Sequence, residues 1–333
     1  MATRAKKISI YLRFDIGNST GLGHASRCIE LAKNLKKNFN VNLCTNFEAK
    51  KILKNKEFNF FIKKKNEKEV NYISRIAKNK NEKILFIDNL YNYKSGIIKK
   101  VTQKFIKIFF YQNFSKGIQK SNIIIDPTPN LNSSRNIKKK YKDTKIFSGE
   151  KYLIVPKSYS YKKKNYLGIS FGGSDPKLIS FKILKYLNKM KWRNNTYLFL
   201  GSMFKFKNQL KEKIVMSNIK ICNFDKRKFL QSSLAICSPG VTAFELLNNK
   251  VFSLYISHSK KHHNLGKYIV KKFNYSKNLK IYNELNFDDF KKIINYYWNC
   301  KKNPNSLKQK KLNIMYNSCK KILRLILNET KQK

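Results

Sequence analysis

Arg13-Phe14-Asp15-Ile16-Gly17-Asn18-Ser19-Thr20-Gly21-Leu22-Gly23-His24-Ala25-Ser26-Arg27-Cys28 joins the first apolar alternation of the chain to its first helical repeat. Upstream, Ile8, Ile10, Leu12 and Phe14 alternate with Ser9, Tyr11 and Arg13, which predicts a strand over 7–14. Downstream, His24, Cys28, Leu31, Ala32 and Leu35 recur at helical spacing, so His24 stands at the inner edge of a helix start. A strand ending in a carboxylate, a glycine-containing loop and a helix with a histidine in its first turn make one βα unit. In open α/β sheets, loops at the carboxyl ends of strands line the ligand crevice, so this is an address for a catalytic group.

The same alternation of elements continues outward. Strands are predicted over 41–45 and 58–62, a helix over 70–77, and a strand over 83–88, an apolar run ending in Asp88 that is typical of a strand buried on both faces. A helix over 94–102, strands over 105–111 and 123–126, and the turn Asp126-Pro127-Thr128-Pro129 follow. The polar, aperiodic stretch 155–165 reads as a linker. The pattern then restarts with strands over 166–171, 196–201, 218–223, 234–237 and 251–256, and helices over 177–190, before Met216, from Val241 and up to Phe273. Amphipathic segments over 287–298 and 307–327 close the chain. The expected fold is therefore α/β, two Rossmann-like domains facing one another across a cleft. Residues 1–157 carry the histidine loop and 158–333 form the second domain, with the last helix crossing back.

A chain of 333 residues, 41% hydrophobic, is long enough for two cores. Lys and Arg number 72 against 19 Asp and Glu, a formal charge of +53. Such an excess can mark nucleic-acid or anionic-membrane binding. Here the lysines are spread along the chain and accompany heavy use of Asn, Ile, Phe and Tyr, and no basic-aromatic module appears. Compositional drift is the stronger reading, and nucleic acid is not an expected partner. An anionic small substrate or peripheral membrane contact fits either. The six cysteines form no closely spaced metal pair, which favours free thiols in a reducing cytoplasm and no metal. No apolar run approaches the roughly 18 residues of a membrane span, and the basic first residues lead straight into a strand without a secretory signal. The expected location is cytoplasmic.

Two later loops suit a nucleoside diphosphate. Phe171-Gly172-Gly173-Ser174-Asp175-Pro176 follows an apolar strand and precedes a helix, with Asp175 expected at N-cap and Pro176 at N1. Glycines there let backbone N–H groups approach a phosphate, and a helix start adds a favourable dipole. Cys237-Ser238-Pro239-Gly240-Val241-Thr242-Ala243-Phe244-Glu245 repeats the arrangement, with the Thr242 hydroxyl as an extra donor. Glu245, one turn on, either accepts from the two hydroxyls of a ribose or balances the helix dipole.

Together, Arg13-x-Asp15, Gly21-x-Gly23-His24-x-x-Arg27-Cys28-x-x-Leu31-Ala32, Phe86-Ile87-Asp88, Gly149-x-x-Tyr152, Phe171-Gly172-Gly173-Ser174-Asp175 and Ser238-x-Gly240-x-Thr242-x-x-Glu245 resemble the UDP-2,4-diacetamido-2,4,6-trideoxy-β-L-altropyranose hydrolases of pseudaminic acid biosynthesis. The resemblance runs to about Phe273 and is most specific in the first loop. It implies a glycosyltransferase B-type fold and metal-independent, cofactor-free release of UDP from the sugar. The same positions also resemble the peptidoglycan N-acetylglucosaminyltransferase group, so a UDP-sugar-dependent glycosyltransferase is the alternative. By carry-over, His24 is the catalytic base and Asp15 its carboxylate neighbour, orienting the imidazole or holding a sugar hydroxyl. Arg13, Gly21, Gly23, Arg27, Gly172, Gly173, Ser174, Gly240, Thr242 and Glu245 are the expected substrate and UDP contacts. Where the family has an Asn-Gln pair this chain has Lys260-Lys261-His262-His263-Asn264; ungapped counting selects His262 and residue type selects Asn264, so both stand as candidates. A base on one face of the sugar and UDP leaving from the other imply one displacement with inversion.

Overall fold

The computed structural model describes residues 8–17, 22–51, 57–78, 82–119, 122–128, 134–156, 161–300 and 317–331. The chain divides into two compact units, Met1–Pro156 with Ile314–Lys333, and Lys157–Asn313. In the first unit the order is β1 (Ser9–Phe14), α1 (Gly23–Leu35), β2 (Asn40–Thr45), β3 (Asn59–Ile62), α2 (Glu69–Ile76), β4 (Lys83–Asp88), α3 (Ser95–Thr102), β5 (Lys107–Tyr111), β6 (Ile123–Asp126), α4 (Ser134–Lys140) and β7 (Lys145–Ser148). Among the described residues these strands form one sheet in the order β3-β2-β1-β4-β5-β6-β7, and every pair is parallel. β1 pairs with β2 on one side and β4 on the other, with Phe14 opposite Asp88. The connection reverses direction there, and the loops after the two strands diverge and leave a crevice.

In the second unit the elements are β8 (Lys164–Ser170), α5 (Ile179–Lys189), β9 (Thr196–Leu200), α6 (Lys207–Glu212), β10 (Ile219–Asn223), α7 (Lys226–Leu230), β11 (Ser232–Cys237), α8 (Val241–Asn248), β12 (Phe252–Ser257), α9 (Lys260–Phe273), β13 (Ser276–Ile281) and α10 (Phe287–Cys300). The sheet order is β10-β9-β8-β11-β12-β13, again all parallel, with the reversal between β8 and β11. The last helix, α11 (Ser318–Lys331), belongs to the first unit, where Glu329 accepts from Lys145 Nζ at 2.9 Å.

The hydrophobic pattern explains the layers. α1 buries Ala25, Cys28, Leu31, Ala32 and Leu35, the face its spacing marks out. β4 is buried at all six positions, as its unbroken apolar run predicts. The alternation in β1 predicts a polar face, yet all six of its residues are buried, Arg13 included. A strand central in a doubly wound sheet has no wet face, so Arg13 must be neutralised where it lies. Its Nε and Nη2 donate to the two Glu69 oxygens at 2.8 and 2.9 Å, and Nη1 donates to the Phe14 carbonyl and to Asp15 Oδ1, each at 2.6 Å. In the second unit Leu167, Ile169, Leu234, Ile236, Leu254 and Ile256 meet α5 and α10, and Trp192 packs edge-on against Trp298 at 5.3 Å.

Four elements have no counterpart in the sequence pattern: α4, β7, α7 and β13. β7 and β13 are edge strands, and polar β13 (Ser-Lys-Asn-Leu-Lys-Ile) carries the charged side chains that keep an exposed edge from pairing. α5 begins at Ile179, two residues later than predicted. Of the amphipathic segment expected over 307–327, residues 318–327 form part of α11, and 307–316 lie outside the described residues.

Two stability predictions follow from the buried charges. Arg13→Ala leaves Glu69 buried with the Tyr93 hydroxyl as a neutral donor and Lys63, 3.6 Å away, as its nearest cation. Unpaired buried carboxylates of this kind cost about 3–5 kcal/mol, so urea unfolding should show a loss of that size, and a loss below about 1 kcal/mol would mean the pair is dispensable. Asp126, at the end of β6, is buried, and burial pushes its carboxyl up to about 6 against the opposing hydrogen bond from the Thr128 N–H. A raised carboxyl favours folding while protonated, so its contribution is complete below the ordinary carboxylate range and is lost as pH rises through about 6. Asp126→Asn, which keeps an acceptor for Thr128, should gain on the wild type in urea midpoint between pH 4 and pH 7. A constant difference would refute the assignment.

Candidate active site

The first unit builds a histidine–carboxylate pair at the reversal between β1 and β4. Gly23 and His24 open α1, whose start carries no side-chain cap. Asp88 ends β4 and is completely buried. His24 Nδ1 lies 2.7 Å from Asp88 Oδ1, and Arg27, one turn further along α1, donates from Nε to Oδ2 at 2.9 Å and from Nη2 to Oδ1 at 2.7 Å. Burial alone would raise the Asp88 carboxyl; Arg27 and His24 overcome it and hold the group down to about 2. An ionised carboxylate only accepts, so the short Nδ1 contact assigns the proton to Nδ1 and leaves the Nε2 lone pair open to a substrate. Arg27 Nη2 also lies 3.0 Å from Nδ1, a contact that the two bonds to Asp88 bring about. The Arg27 guanidinium rests over the Tyr111 ring at 5.5 Å. Cys28, beside Asp88, is kept protonated by burial and by that negative charge, so it is no nucleophile.

Of the two roles expected for Asp15, orienting the imidazole falls to another carboxylate. Asp15 accepts from Arg13 Nη1, and the carboxylate that orients the imidazole is Asp88. Arg13, expected among the substrate contacts, is a buried strut that holds Asp15 and Glu69. Arg27, also expected to touch substrate, has two of its nitrogens bonded to Asp88. Asn46 fixes the loop after β1 by accepting from the Ile16 N–H at 2.9 Å and donating to the Ile16 carbonyl. Gly21 lies outside the described residues.

In the second unit the two diphosphate-type loops follow β8 and β11, the adjacent strands at the reversal. They are not equivalent. Gly172 has φ +86°, and at Gly201, which ends the neighbouring segment, a Cβ would come within 2.3 Å of the Gly173 carbonyl oxygen; glycine is needed at both places for this turn. Asp175 does not act as a conventional N-cap with Pro176 at N1. It accepts from the N–H groups of Ile179 and Ser180 at 2.9 and 2.8 Å, across the turn that precedes α5. The start of α5 is thus occupied by the chain's own carboxylate, and the 172–174 turn, Ser174 included, has no helix dipole to lend to a phosphate. α8 differs: Gly240 is its N-cap, Val241 and Thr242 form its first turn, and neither a side-chain cap nor an acidic residue is present there. Glu245, on the following turn, is nearly buried and accepts from Lys226 Nζ at 2.6 Å.

α9 brings a second imidazole to the next strand end. Ser259 caps the helix and its hydroxyl lies 2.9 Å from His262 Nδ1, while the His258 and His262 rings are 3.8 Å apart. Burial, with His258 and Lys261 nearby, holds His262 down to about 4, so it is neutral at pH 7. The Ser259 hydroxyl accepts from the His262 N–H and pairs with Nδ1, so it fixes the direction of the ring. Asn264 lies exposed further along α9 and His263 turns to Asn278. Of the two candidates, His262 is the one that the fold sets beside the β12 end.

The missed residues Asp88 and Glu69 differ in legibility. Asp88 had a signal, a carboxylate terminating a fully apolar strand; Glu69, at a helix start, reads only as a dipole partner.

The chain is 31% identical over 253 residues to an uncharacterized protein of Methanocaldococcus jannaschii, covering 68% of this chain and 51% of that protein. It is 28% identical over 180 residues to the spore coat polysaccharide biosynthesis protein SpsG of Bacillus subtilis, covering 51% and 52%. The chain thus spans about half the length of the curated relatives it matches. No protein-family model matches it. Among solved structures, MurG of Acinetobacter baumannii superposes with TM-score 0.61 at 11% identity, over 96% of this chain and 99% of that one. Arabidopsis thaliana UGT89C1 complexed with UDP gives 0.62 at 11% identity, over 97% and 99%. At such identities the likeness is one of fold, and the fold of this chain is the glycosyltransferase B type.

Proposed function

We propose that the chain transfers the sugar of a UDP-sugar to a hydroxyl nucleophile, with His24 as general base. The observation that carries this is the His24–Asp88 pair at the crevice end of the first sheet, which leaves Nε2 basic and fixed in direction. In the reaction, Nε2 takes the proton of the attacking hydroxyl as its oxygen bonds to the anomeric carbon. Asp88 stabilises the imidazolium that forms. The bond from that carbon to the diphosphate breaks from the opposite face, UDP keeps the electron pair, and configuration inverts. The uncapped N–H groups at the start of α8 and the Thr242 hydroxyl suit the leaving diphosphate, and Glu245 suits the ribose hydroxyls once it exchanges Lys226 for them. The polysaccharide-biosynthesis relative and the UDP-bound structural neighbour support a nucleotide-sugar substrate.

Hydrolysis is the second reading. Water can occupy the place of the hydroxyl, and the resemblance of the loop from Arg13 to Cys28 to the UDP-diacetamido-trideoxy-altrose hydrolases favours it. The two separate when UDP-sugars, that hydrolase substrate included, are incubated with the protein and followed by NMR. Free sugar accumulating at full rate without an acceptor identifies a hydrolase; UDP release that needs an added acceptor identifies a transferase.

His24→Ala should lower turnover by about 10²–10⁴-fold while UDP affinity stays at the wild-type value. Asp88→Asn, checked for folding by circular dichroism, should lose at least about 10²-fold through the wrong tautomer. Wild-type turnover in His24→Ala would sink the assignment of the base. Glu245→Ala should weaken UDP binding in calorimetry, and unchanged affinity would remove it from the ribose site.

A further inference from the structure

The first unit holds a cavity of about 260 Å³ that the proposed chemistry does not yet use. Its floor is the buried Arg13–Glu69 pair with Asp15, and its walls come from the loops after β2, β3 and β4. Two side chains on those walls break the usual rule for apolar groups: Phe47 is 41% exposed and Tyr91 39% exposed, and both line this one cavity. Half-exposed rings that share a concave surface mark a ligand site, since each presents a flat apolar face at a loss of hydrophobic stability. Tyr91 is held in place: its ring packs edge-on against Tyr93 at 4.9 Å, and the Tyr93 hydroxyl donates to Glu69 at 2.8 Å and accepts from Asn89.

The rest of the lining is charged. Lys63 approaches Glu69 at 3.6 Å and Glu48 accepts from Asn46 Nδ2 at 2.7 Å, while Lys64 and Lys65 stand exposed on the same cavity, whose lining holds four cations against three carboxylates. Glu69 and Asp15 already have Arg13 as partner, so the lysines of the wall are not needed to neutralise the floor. Flat apolar faces, carboxylate acceptors, and cations at the rim together match a sugar ring that carries a negative group. The rings take its C–H face, Asp15 its hydroxyls, and Lys64 and Lys65 the anion.

The position matters as much as the lining. Asp15 and His24 lie on one βα loop and helix start, and Tyr91 follows Asp88 by three residues on the other strand end of the same reversal. A molecule seated here therefore touches the strand-end segments that precede His24 and follow Asp88. We infer that this cavity is the acceptor site, and that the acceptor is a saccharide bearing a carboxylate or phosphate. The inference rests on the proposed glycosyl transfer for its meaning, although the binding itself is measurable without turnover.

The test is calorimetric titration of the full chain, in saturating UDP so that the second unit is occupied, with glucose, glucose 6-phosphate, glucuronic acid and inorganic phosphate. Glucose 6-phosphate or glucuronic acid should bind at least about tenfold more tightly than glucose and than inorganic phosphate, and which of them does so tells phosphate from carboxylate. Lys64→Ala/Lys65→Ala should erase that advantage, and Tyr91→Ala should weaken the sugars about tenfold without changing inorganic phosphate. Neither change should alter UDP affinity. Inorganic phosphate binding as tightly as the sugars, indifference to all these substitutions, or binding that UDP abolishes would each overturn the acceptor site. Failure of the wild type to bind UDP would instead overturn the donor reading, and the same titrations without UDP would still decide the cavity.

Discussion

The ionised Asp88 carboxylate, sealed beneath the crevice end of the first sheet, is the constraint on which the candidate site depends. A carboxylate with no exposure is costly, and only partners at hydrogen-bonding distance offset its desolvation. Both partners sit on α1, His24 and Arg27 three positions apart on one face. Satisfying Asp88 therefore fixes how the first turn of α1 lies over the end of β4, and fixes the imidazole with it. The consequence spreads through Arg27, which covers Tyr111. The Tyr111 hydroxyl donates to the Tyr152 carbonyl at 3.1 Å and accepts from the Ile154 N–H at 3.0 Å. The segment that leaves the first unit is thus tied to the same carboxylate that orients the base.

Beside it runs a second buried network, Asp15–Arg13–Glu69–Tyr93–Asn89, and the two are adjacent along the chain because Asn89 follows Asp88. Neither network improves stability over an apolar core of the same volume, since buried ion pairs seldom do. Their value lies in direction: each holds a polar group at a strand end with little freedom to turn. The second unit reaches the same end through neutral groups, with a hydroxyl holding the His262 ring and a backbone helix start left uncapped at α8.

Sequence patterns reveal what is local or periodic and hide what depends on register. The apolar run at 83–88, the helical face of α1 and the glycine turns all announce themselves within a few residues, and they suffice for two doubly wound α/β units. Asp15 looks like the partner of His24 because it is nine residues away; Asp88 is its partner because β1 and β4 pair with Phe14 opposite Asp88, a fact of sheet register across 64 residues. The same limit applies to Arg13, which in a pattern of alternation points to solvent and in a central strand cannot. Asp175 shows the converse failure, a local rule applied one turn too early, because the chain inserts a turn before α5 and sends the carboxylate across it.

The charge imbalance sharpens the reading of the carboxylates that remain. With 19 acidic residues against 72 basic ones, carboxylates are too few to pair with most of the basic side chains. A substitution that replaces an exposed acid changes little in such a protein, whereas one that replaces a buried, paired acid leaves a cation stranded. Asp88 with Arg27, Glu69 and Asp15 with Arg13, and Glu245 with Lys226 are pairs of the second kind, and each lies on or next to a strand-end loop of its sheet. The buried acids of these pairs therefore stand out at the strand ends of the two sheets, while others, such as Glu57 with Lys36 and Asp289 with Lys280, pair on the surface.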